Sequence, residues 1–167
     1  MNLDNIKIEI IKTGDVVTGL APEKLQQLKT LYMESNWWSE NNDLVDPDLI
    51  NKIIQGSFCF AVASIEIEHN STTPNPSNLE GRYYDKIIGM GRAISDGVCD
   101  AYIQDVAVLP EFRGNGIGVL IMDELIFYLK SKKINWITLI SEPKAVSFYE
   151  RYGFSLMKDY VPFTLKK

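Results

Sequence analysis

A glycine-rich turn in the middle of the chain carries the clearest chemical signal. Gly114, Gly116 and Gly118 stand at every second position. Arg113 precedes them, and a strand-like apolar run ends just before, at Pro110. Glycines let backbone N–H groups approach a ligand closely. The first turn of the helix that follows offers unpaired N–H donors and a partial positive charge. With the arginine as a permanent cation, this turn predicts a site for a phosphate or pyrophosphate group.

The spacing of these glycines distinguishes between nucleotide-binding motifs. A Walker A loop needs a Lys-Ser or Lys-Thr pair after its glycines, and none follows here. A dinucleotide fingerprint needs a third glycine where Val119 and Ile121 stand. The remaining match is the pattern Gln/Arg-x-x-Gly-x-Gly/Ala, which binds coenzyme A and runs here from Arg113 to Gly118. The alternative that the glycines alone leave open is a strand-to-helix turn that binds no ligand.

The segment from Gly89 to Phe154 resembles the GNAT superfamily of acetyl-CoA-dependent N-acetyltransferases. The residues that carry the resemblance are Ile103–Val108, Pro110, Arg113–Gly118, Ala145, Phe148–Glu150 and Gly153–Phe154. These motifs follow the family's order and spacing over roughly 65 residues. The resemblance implies that the acetyl group of acetyl-CoA passes directly to a primary amine, with acetyl-CoA as co-substrate and without a metal ion.

The resemblance also implies which residues hold the cofactor. In the family, the strand before the glycine turn separates from its neighbour, and the pantetheine arm lies along its edge. Backbone groups of Val106 and Val108 would then bond to that arm, and the Val106 N–H would polarise the acetyl carbonyl as an oxyanion hole does. The implied cofactor-binding residues are Val106, Ala107, Val108, Arg113, Gly114, Asn115, Gly116, Ile117, Gly118 and Ser147.

Two side chains are candidates for moving protons. Tyr149 stands where many family members carry a tyrosine that faces the cofactor sulfur, and a phenol with a pKa of about 10 can donate to a departing thiolate. The alternative is a core tyrosine that packs the last helix. Asp105, beside Val106, is the predicted base or water-positioning group, unless backbone donors already satisfy its carboxylate. The sequence departs from the family at Glu142, near the position of an asparagine that contacts the cofactor.

A loop with two tryptophans is expected to line the acceptor pocket. The resemblance places the first two helices and their connection over that pocket, and here the connection holds Trp37, Trp38 and Ser39, with Glu40 and Asp43 nearby. Aromatic walls and acidic groups suit an amine, which is cationic until it loses a proton. The alternative is that the tryptophans cap the core. The favoured acceptor is therefore a small primary amine. The competing hypotheses are an amine of a peptide or protein, and a non-catalytic acyl-CoA-binding or sensor module.

Hydrophobic periodicity and turn residues predict the elements that position these side chains. Strands are predicted over residues 6–10, 57–68, 85–95, 98–109, 136–140, 154–157 and 161–165. Helices are predicted over residues 22–35, 46–54, 116–132 and 143–152, and a long hairpin loop over 69–81. This order indicates one α/β domain over residues 1–167. Its central mixed, mostly antiparallel sheet should have about six to seven strands, flanked by about four helices.

Charge and cysteine content bear on partners and compartment. The chain has 167 residues with 22 Asp+Glu against 17 Lys+Arg, a net charge of −5, which argues against general binding of nucleic acids or anionic membranes. Cys59 and Cys99 lie in apolar, strand-like runs, so two buried, reduced thiols are expected. No metal site is expected, because His69 is the only histidine. With no signal peptide or membrane-spanning run, we expect a cytoplasmic protein. The family resemblance also allows a homodimer.

Overall fold

One mixed sheet forms the centre of the structure, a computed structural model that describes residues 5–12, 20–37, 47–68 and 83–165. Its strands are β1 (Ile6–Lys12), β2 (Cys59–Glu68), β3 (Tyr83–Ser95), β4 (Asp100–Val108) and β5 (Trp136–Leu139). They lie in the order β1-β2-β3-β4-β5. Neighbours are antiparallel except β4 and β5, which are parallel. The predicted α/β class and mostly antiparallel sheet are confirmed, while the loop predicted at 69–81 lies outside the described residues.

Within the described residues, four helices accompany the sheet, as predicted. They are α1 (Pro22–Glu34), α2 (Pro47–Gln55), α3 (Ile117–Ser131) and α4 (Val146–Tyr152), with short 3-10 turns at Pro110–Phe112 and Pro143–Ala145. Proline suits the start of α1 because the first helical N–H has no partner inside the helix. Gly153 ends α4 with φ at 113°, a left-handed conformation that glycine adopts without a Cβ clash. None of the helices in the described ranges combines the length and hydropathy that a membrane crossing requires.

Two hydrophobic layers lie on opposite faces of the sheet. In β2, Phe60 and Val62 belong to the layer beneath α1 and α2, while Ala61 and Ala63 belong to the layer beneath α3. This alternation follows from the two-residue period of a strand. The buried residues that α3 contributes are Ile117, Ile121, Met122, Leu125 and Leu129, four of them at the spacing predicted from the sequence.

Gly91 of β3 lies in close contact with side chains of α3. A Cβ atom added at Gly91 would lie 2.8 Å from Ile121 Cγ2 and 3.1 Å from Leu125 Cδ1. Separations that short require neighbouring side chains to move, so the absence of a side chain at Gly91 is what lets α3 pack this tightly.

The predicted pair of closing strands is wrong. Residues 154–157 and 161–165 form no strand, so the described part of the chain has a sheet of five strands where about six to seven were predicted. Apart from Phe154, which packs partly against the core, the large apolar side chains of these segments lie open to solvent, with Phe163 95% and Leu165 97% exposed. Apolar composition makes a strand only where a neighbouring strand completes its hydrogen bonds, and Pro162 in the second run has no N–H to donate.

The expectation of two buried thiols holds for Cys59 and is wrong for Cys99, which is exposed. The turn predicted at Asp96-Gly97 is longer than expected. Asp96 Oδ1 accepts hydrogen bonds from the N–H groups of Val98 at 2.8 Å and Cys99 at 3.0 Å. Because the turn includes Cys99, β4 starts at Asp100, two residues later than predicted, and the side chain of Cys99 stays outside the sheet.

Candidate active site

β4 and β5 separate at their carboxyl ends. Their pairing runs from Asp100↔Trp136 to Ile103↔Leu139, while β4 continues to Val108. In the described part of the chain, the last five residues of β4 therefore have no partner strand on the β5 side. Unpaired strand edges offer backbone N–H and C=O groups to a ligand. The separation creates a cleft with this edge, which includes Val106, Ala107 and Val108, as one wall.

A β-bulge lies where the cleft begins. Gly91 of β3 faces two residues of β4, Asp105 and Val106, because the register shifts between Met90 and Arg92. Asp105 has φ at 54°, in the left-handed region that aspartate enters more readily than most side chains. A bulge bends its strand and increases the local twist. It is the local reason that β4 turns away from β5.

The carboxylate of Asp105 is bonded from two other elements. Tyr32 Oη of α1 donates to Asp105 Oδ2 at 2.9 Å, and Arg92 Nε of β3 donates to the same oxygen at 2.5 Å. Arg92 Nη2 also donates to Gln104 Oε1 at 2.6 Å. The side chains of the ion pair are only 16% and 23% exposed. Burial, and then the charge of Asp105, raise the pKa of Tyr32, so its hydroxyl remains a donor.

Sequence reasoning missed Tyr32 and Arg92. Its helical spacing places Tyr32 on the same face of α1 as Leu25 and Leu28, a pattern that marks it only as a core residue. The available signal was Arg92, a charged residue in the run Met90 to Ala93 that is otherwise glycine and apolar. A charged side chain in such a run is expected to have a charged or polar partner.

The glycine turn leads directly into α3. Gly114 and Gly116 have φ at 78° and 77°, conformations that favour glycine. A Cβ atom added at Gly114 would meet nothing within 4 Å among the described residues. Gly116 is the N-cap of α3, and no described side chain caps this end of the helix. The helix N-terminus therefore keeps the donor groups and the partial charge that an anion would use.

Arg113 and Asn115 contact the backbone around this turn. Arg113 Nε donates to the Val108 carbonyl at 2.9 Å, which holds an exposed guanidinium where β4 meets the turn. Asn115 Nδ2 donates to the carbonyls of Phe112 at 3.0 Å and Arg113 at 3.2 Å. The side chain of Asn115 thus shapes the turn, and a cofactor contact from it stays a prediction.

Tyr149 lines the cleft from α4. Its half-buried ring makes edge contacts with Phe148 at 5.0 Å and Phe154 at 6.1 Å between centroids. Burial, followed by the negative charge of Glu142, raises the pKa of Tyr149, so its hydroxyl is protonated at neutral pH. Tyr152 differs, because its Oη donates to Asp123 Oδ1 at 2.6 Å and ties α4 to α3.

Two cavities meet at Tyr149. One extends along the glycine turn and β5, and the other, of about 490 Å³, is lined by Trp37, Gln104 and Glu142 among others. The residues that line both are Val106, Val108, Arg113, Ile140, Ser141, Ala145 and Tyr149. A ligand held at the glycine turn and a second ligand in the smaller cavity would therefore meet beside the bulge and the Tyr149 ring.

Trp37 and Glu142 are in contact at the smaller cavity. Trp37 Nε1 donates to Glu142 Oε1 at 3.4 Å, and Lys144 Nζ pairs with Glu142 Oε2 at 2.8 Å. These bonds, with that of Lys144 the larger effect, lower the pKa of Glu142 and keep the carboxylate ionised. The Trp37 ring also meets Tyr32 edge-on at 6.0 Å.

Several predicted site residues lie elsewhere. Trp38, Ser39, Glu40 and Asp43 fall outside the described residues. Ser147 is exposed on α4 and lines neither cavity, so its cofactor contact stays a prediction. Among the side chains that the structure describes, no three of His, Cys, Asp or Glu are placed to hold a metal ion.

Two curated relatives match part of this chain. An uncharacterized N-acetyltransferase, ycf52, from Pyropia yezoensis is 44% identical over 69 residues, which are 41% of this chain and 40% of that protein. Serotonin N-acetyltransferase 2, chloroplastic, from Oryza sativa subsp. japonica is 36% identical over 74 residues, 44% of this chain and 37% of that protein. The chain thus matches less than half the length of these relatives.

The fold and a family model extend the similarity over more of the chain. A GNAT-family acetyltransferase from Streptococcus pneumoniae superimposes with a TM-score of 0.64 at 20% identity, over 97% of this chain and 98% of that one, a likeness of fold. The model of the acetyltransferase (GNAT) family matches residues 33–154, well over half of the sequence. This match, together with the bulged strand, the cleft and the glycine turn, shows that the chain belongs to the GNAT acetyltransferase family.

Proposed function

We propose that this protein transfers the acetyl group of acetyl-CoA directly to the primary amine of a small molecule. The observation that carries the proposal is the meeting of two cavities at Tyr149, one along an anion-binding helix terminus and one suited to an amine. Membership in the GNAT family supports acetyl-CoA as the donor. The smaller cavity, at about 490 Å³, has the size of a small-molecule site.

The donor side of the cleft fits a polyanion with an extended polar arm. The N-terminus of α3 and the guanidinium of Arg113 would hold the pyrophosphate. The open edge of β4 at Val106 and Val108 would bond to the arm as an added strand does. When bound, acetyl-CoA supplies an activated acetyl thioester. The N–H of Val106 would stabilise the negative charge that develops on the acetyl oxygen.

Proton transfer completes the reaction. The amine nitrogen bonds to the acetyl carbon, the carbon–sulfur bond breaks, the amine loses a proton, and the thiolate gains one. Tyr149 would supply the thiolate proton, because its raised pKa keeps the hydroxyl protonated. The general-base role predicted for Asp105 stays a prediction, and its Oδ2 already accepts bonds from Tyr32 and Arg92.

The residues that line the smaller cavity favour an amine as the acetyl acceptor. Glu142 presents an ionised carboxylate beside the indole of Trp37, and an ammonium group is attracted both to a carboxylate and to the face of an aromatic ring. The similarity to a protein named serotonin N-acetyltransferase points the same way, since serotonin carries a primary amine on a short alkyl chain attached to an aromatic ring system.

An amine panel tests the proposal. Release of free thiol from acetyl-CoA is followed with arylalkylamines, polyamines, amino sugars and a lysine-containing peptide, and the acetylated product is identified by mass spectrometry. The exposed Cys99 would react with the thiol reagent, so a Cys99→Ser background keeps the signal clean. We expect turnover with at least one small amine. Turnover with the peptide alone would indicate a protein acetyltransferase, and tight acetyl-CoA binding without thiol release would indicate a sensor module.

The proposal also covers the cellular compartment of the protein and its oligomeric state. We infer the single domain and cytoplasmic location predicted from the sequence, although the name of the rice relative places that protein in the chloroplast. Fluorescence microscopy of the tagged chain distinguishes the two compartments. Light scattering at several protein concentrations tests the homodimer.

A further inference from the structure

Three elements converge on one carboxylate at the bulge. Tyr32 comes from α1, Arg92 from β3 and Asp105 from β4, and both donors bond to Asp105 Oδ2. We call these three side chains the bulge clamp. Tyr32 is buried, and the two charged side chains are mostly shielded from water. Their mutual attraction is therefore screened less than it would be at the surface.

The contacts of Asp105 are unlike those of a free proton acceptor. A general base must take a proton on a carboxylate oxygen that can reach the amine. Oδ2 of Asp105 already accepts from a phenol and from a guanidinium. These two bonds aim Oδ2 at Tyr32 and Arg92, so the side chain of Asp105 serves as a hydrogen-bond acceptor that joins α1 and β3 to the bulge.

The backbone of Asp105 controls a group that the proposed reaction uses. The N–H of Val106 belongs to the peptide group between the two residues, so the dihedral angles of Asp105 set its direction. Asp105 has φ at 54°, and this conformation is uncommon for a residue other than glycine. Such a conformation persists only if the surrounding structure holds it. The bulge clamp provides bonds to Asp105 from α1 and from β3.

We propose that Asp105, held by Arg92 and Tyr32, is a positioning residue that fixes the direction of the Val106 N–H for acetyl transfer. The effect on catalysis rests on the proposed function. The structural claim, that the bulge clamp holds the backbone of the bulge in place, does not depend on it. The clamp also links the reaction site to α1, the helix that ends beside Trp37.

Kinetics of three variants test the inference. For Asp105→Ala we expect kcat to fall by about tenfold or more, and for Tyr32→Phe by several-fold, because a misdirected N–H stabilises the acetyl oxygen poorly. Affinity for acetyl-CoA should stay within about twofold, since the glycine turn holds most of that ligand. Asp105→Asn should stay within about threefold of wild-type kcat, because an amide oxygen accepts the same bonds and asparagine tolerates the left-handed region.

A matched control removes the same kind of bond elsewhere. Tyr152→Phe deletes a tyrosine–aspartate hydrogen bond outside the bulge clamp, the one to Asp123, and should leave the backbone NMR shifts of Asp105 and Val106 unchanged. The inference is overturned if Asp105→Asn is as inactive as Asp105→Ala and the acid limb of its pH profile disappears, since Asp105 would then be the general base. It is also overturned if Tyr32→Phe melts at a lower temperature with an unchanged kcat, since the clamp would then serve stability alone.

Backbone NMR separates this inference from the proposed function. The secondary chemical shifts of residues 105 and 106, which are the deviations from the random-coil values of the residue types present, report the bulge without turnover. They should move in Asp105→Ala and Tyr32→Phe and stay in place in Asp105→Asn. If the wild-type protein acetylated no amine but the variants showed this pattern of shifts, the proposed function would be contradicted. The conclusion that the bulge clamp holds the bulge in place would still be supported. Unchanged shifts in all three variants would overturn the conclusion that the bulge clamp holds the bulge in place.

Discussion

The indole Nε1 of Trp37 and the carboxylate of Glu142 are 3.4 Å apart, although 105 positions separate them in the chain. Trp37 lies in the turn that follows Glu34, the last residue of α1, and Glu142 lies in the segment after β5, so the contact joins two walls of the smaller cavity. An ammonium group that enters this cavity would replace the indole N–H as a donor to the carboxylate. The gain in charge–charge attraction favours this exchange, because a charged donor bonds to a carboxylate more strongly than a neutral one.

Glu142→Gln should therefore weaken binding of the acceptor. We expect the KM for a reactive amine to rise by about tenfold, which corresponds to about 1.4 kcal/mol, with little change in acetyl-CoA affinity. Initial rates over a range of amine concentrations measure the effect. Glu124→Gln, which makes the same substitution at an exposed position on α3, should leave KM unchanged. An unaltered KM in Glu142→Gln would place the amine elsewhere.

The same substitution should change the pH dependence through Tyr149. The pKa of Tyr149 is raised by burial and then by the negative charge of Glu142. Removal of that charge makes the phenolate less unfavourable, so the pKa falls and the neutral donor form is lost at a lower pH. The alkaline limb of the kcat profile of Glu142→Gln should therefore shift toward lower pH. If the alkaline limb did not shift, it would report the titration of a group other than Tyr149.

Tyr149→Phe tests the donor itself. Loss of a positioned general acid typically costs about 10² to 10⁴ in rate, and we expect kcat to fall by about a hundredfold. The affinity for acetyl-CoA, measured by calorimetry, should stay nearly constant because the ring contacts with Phe148 and Phe154 remain. Tyr160→Phe, at an exposed tyrosine after α4, is the control. Equal rates for Tyr149→Phe and wild type would remove the hydroxyl from the mechanism.

The features predicted from the sequence are those that neighbouring residues encode. Pro110, the glycines of the turn and the spacing of Ile117 and Ile121 act within a few positions of one another. The bulge clamp joins residues 73 positions apart, and no local pattern marks such a pair. The prediction of two closing strands was wrong for a related reason. Their composition suits a strand, but strand formation depends on a partner edge that the segment itself does not specify.

Arg113→Glu should weaken the binding of acetyl-CoA. The guanidinium lies beside the glycine turn, and a carboxylate there would repel the phosphate groups instead of attracting them. We expect the Kd from calorimetry to rise at least tenfold, and the difference to shrink as salt is added. Lys52→Glu reverses an equal charge on α2 and should leave the Kd unchanged. If both variants bound equally well, the phosphate groups would lie away from this turn.

Gly91→Ala should destabilise the protein, although alanine suits the backbone there. Its Cβ would lie 2.8 Å from Ile121 and 3.1 Å from Leu125, so α3 must move or its side chains must change rotamers. Overpacking of this kind costs about 1–3 kcal/mol of unfolding free energy.

Gly118→Ala is the matched comparison, because the nearest atom to its added Cβ is Phe148 Cζ at 3.4 Å, an ordinary contact. It lies in the first turn of α3, where alanine is favoured over glycine by up to about 1 kcal/mol. Urea unfolding of the two variants should therefore give changes of opposite sign. If Gly91→Ala were as stable as wild type, α3 would lie farther from β3 than the structure shows.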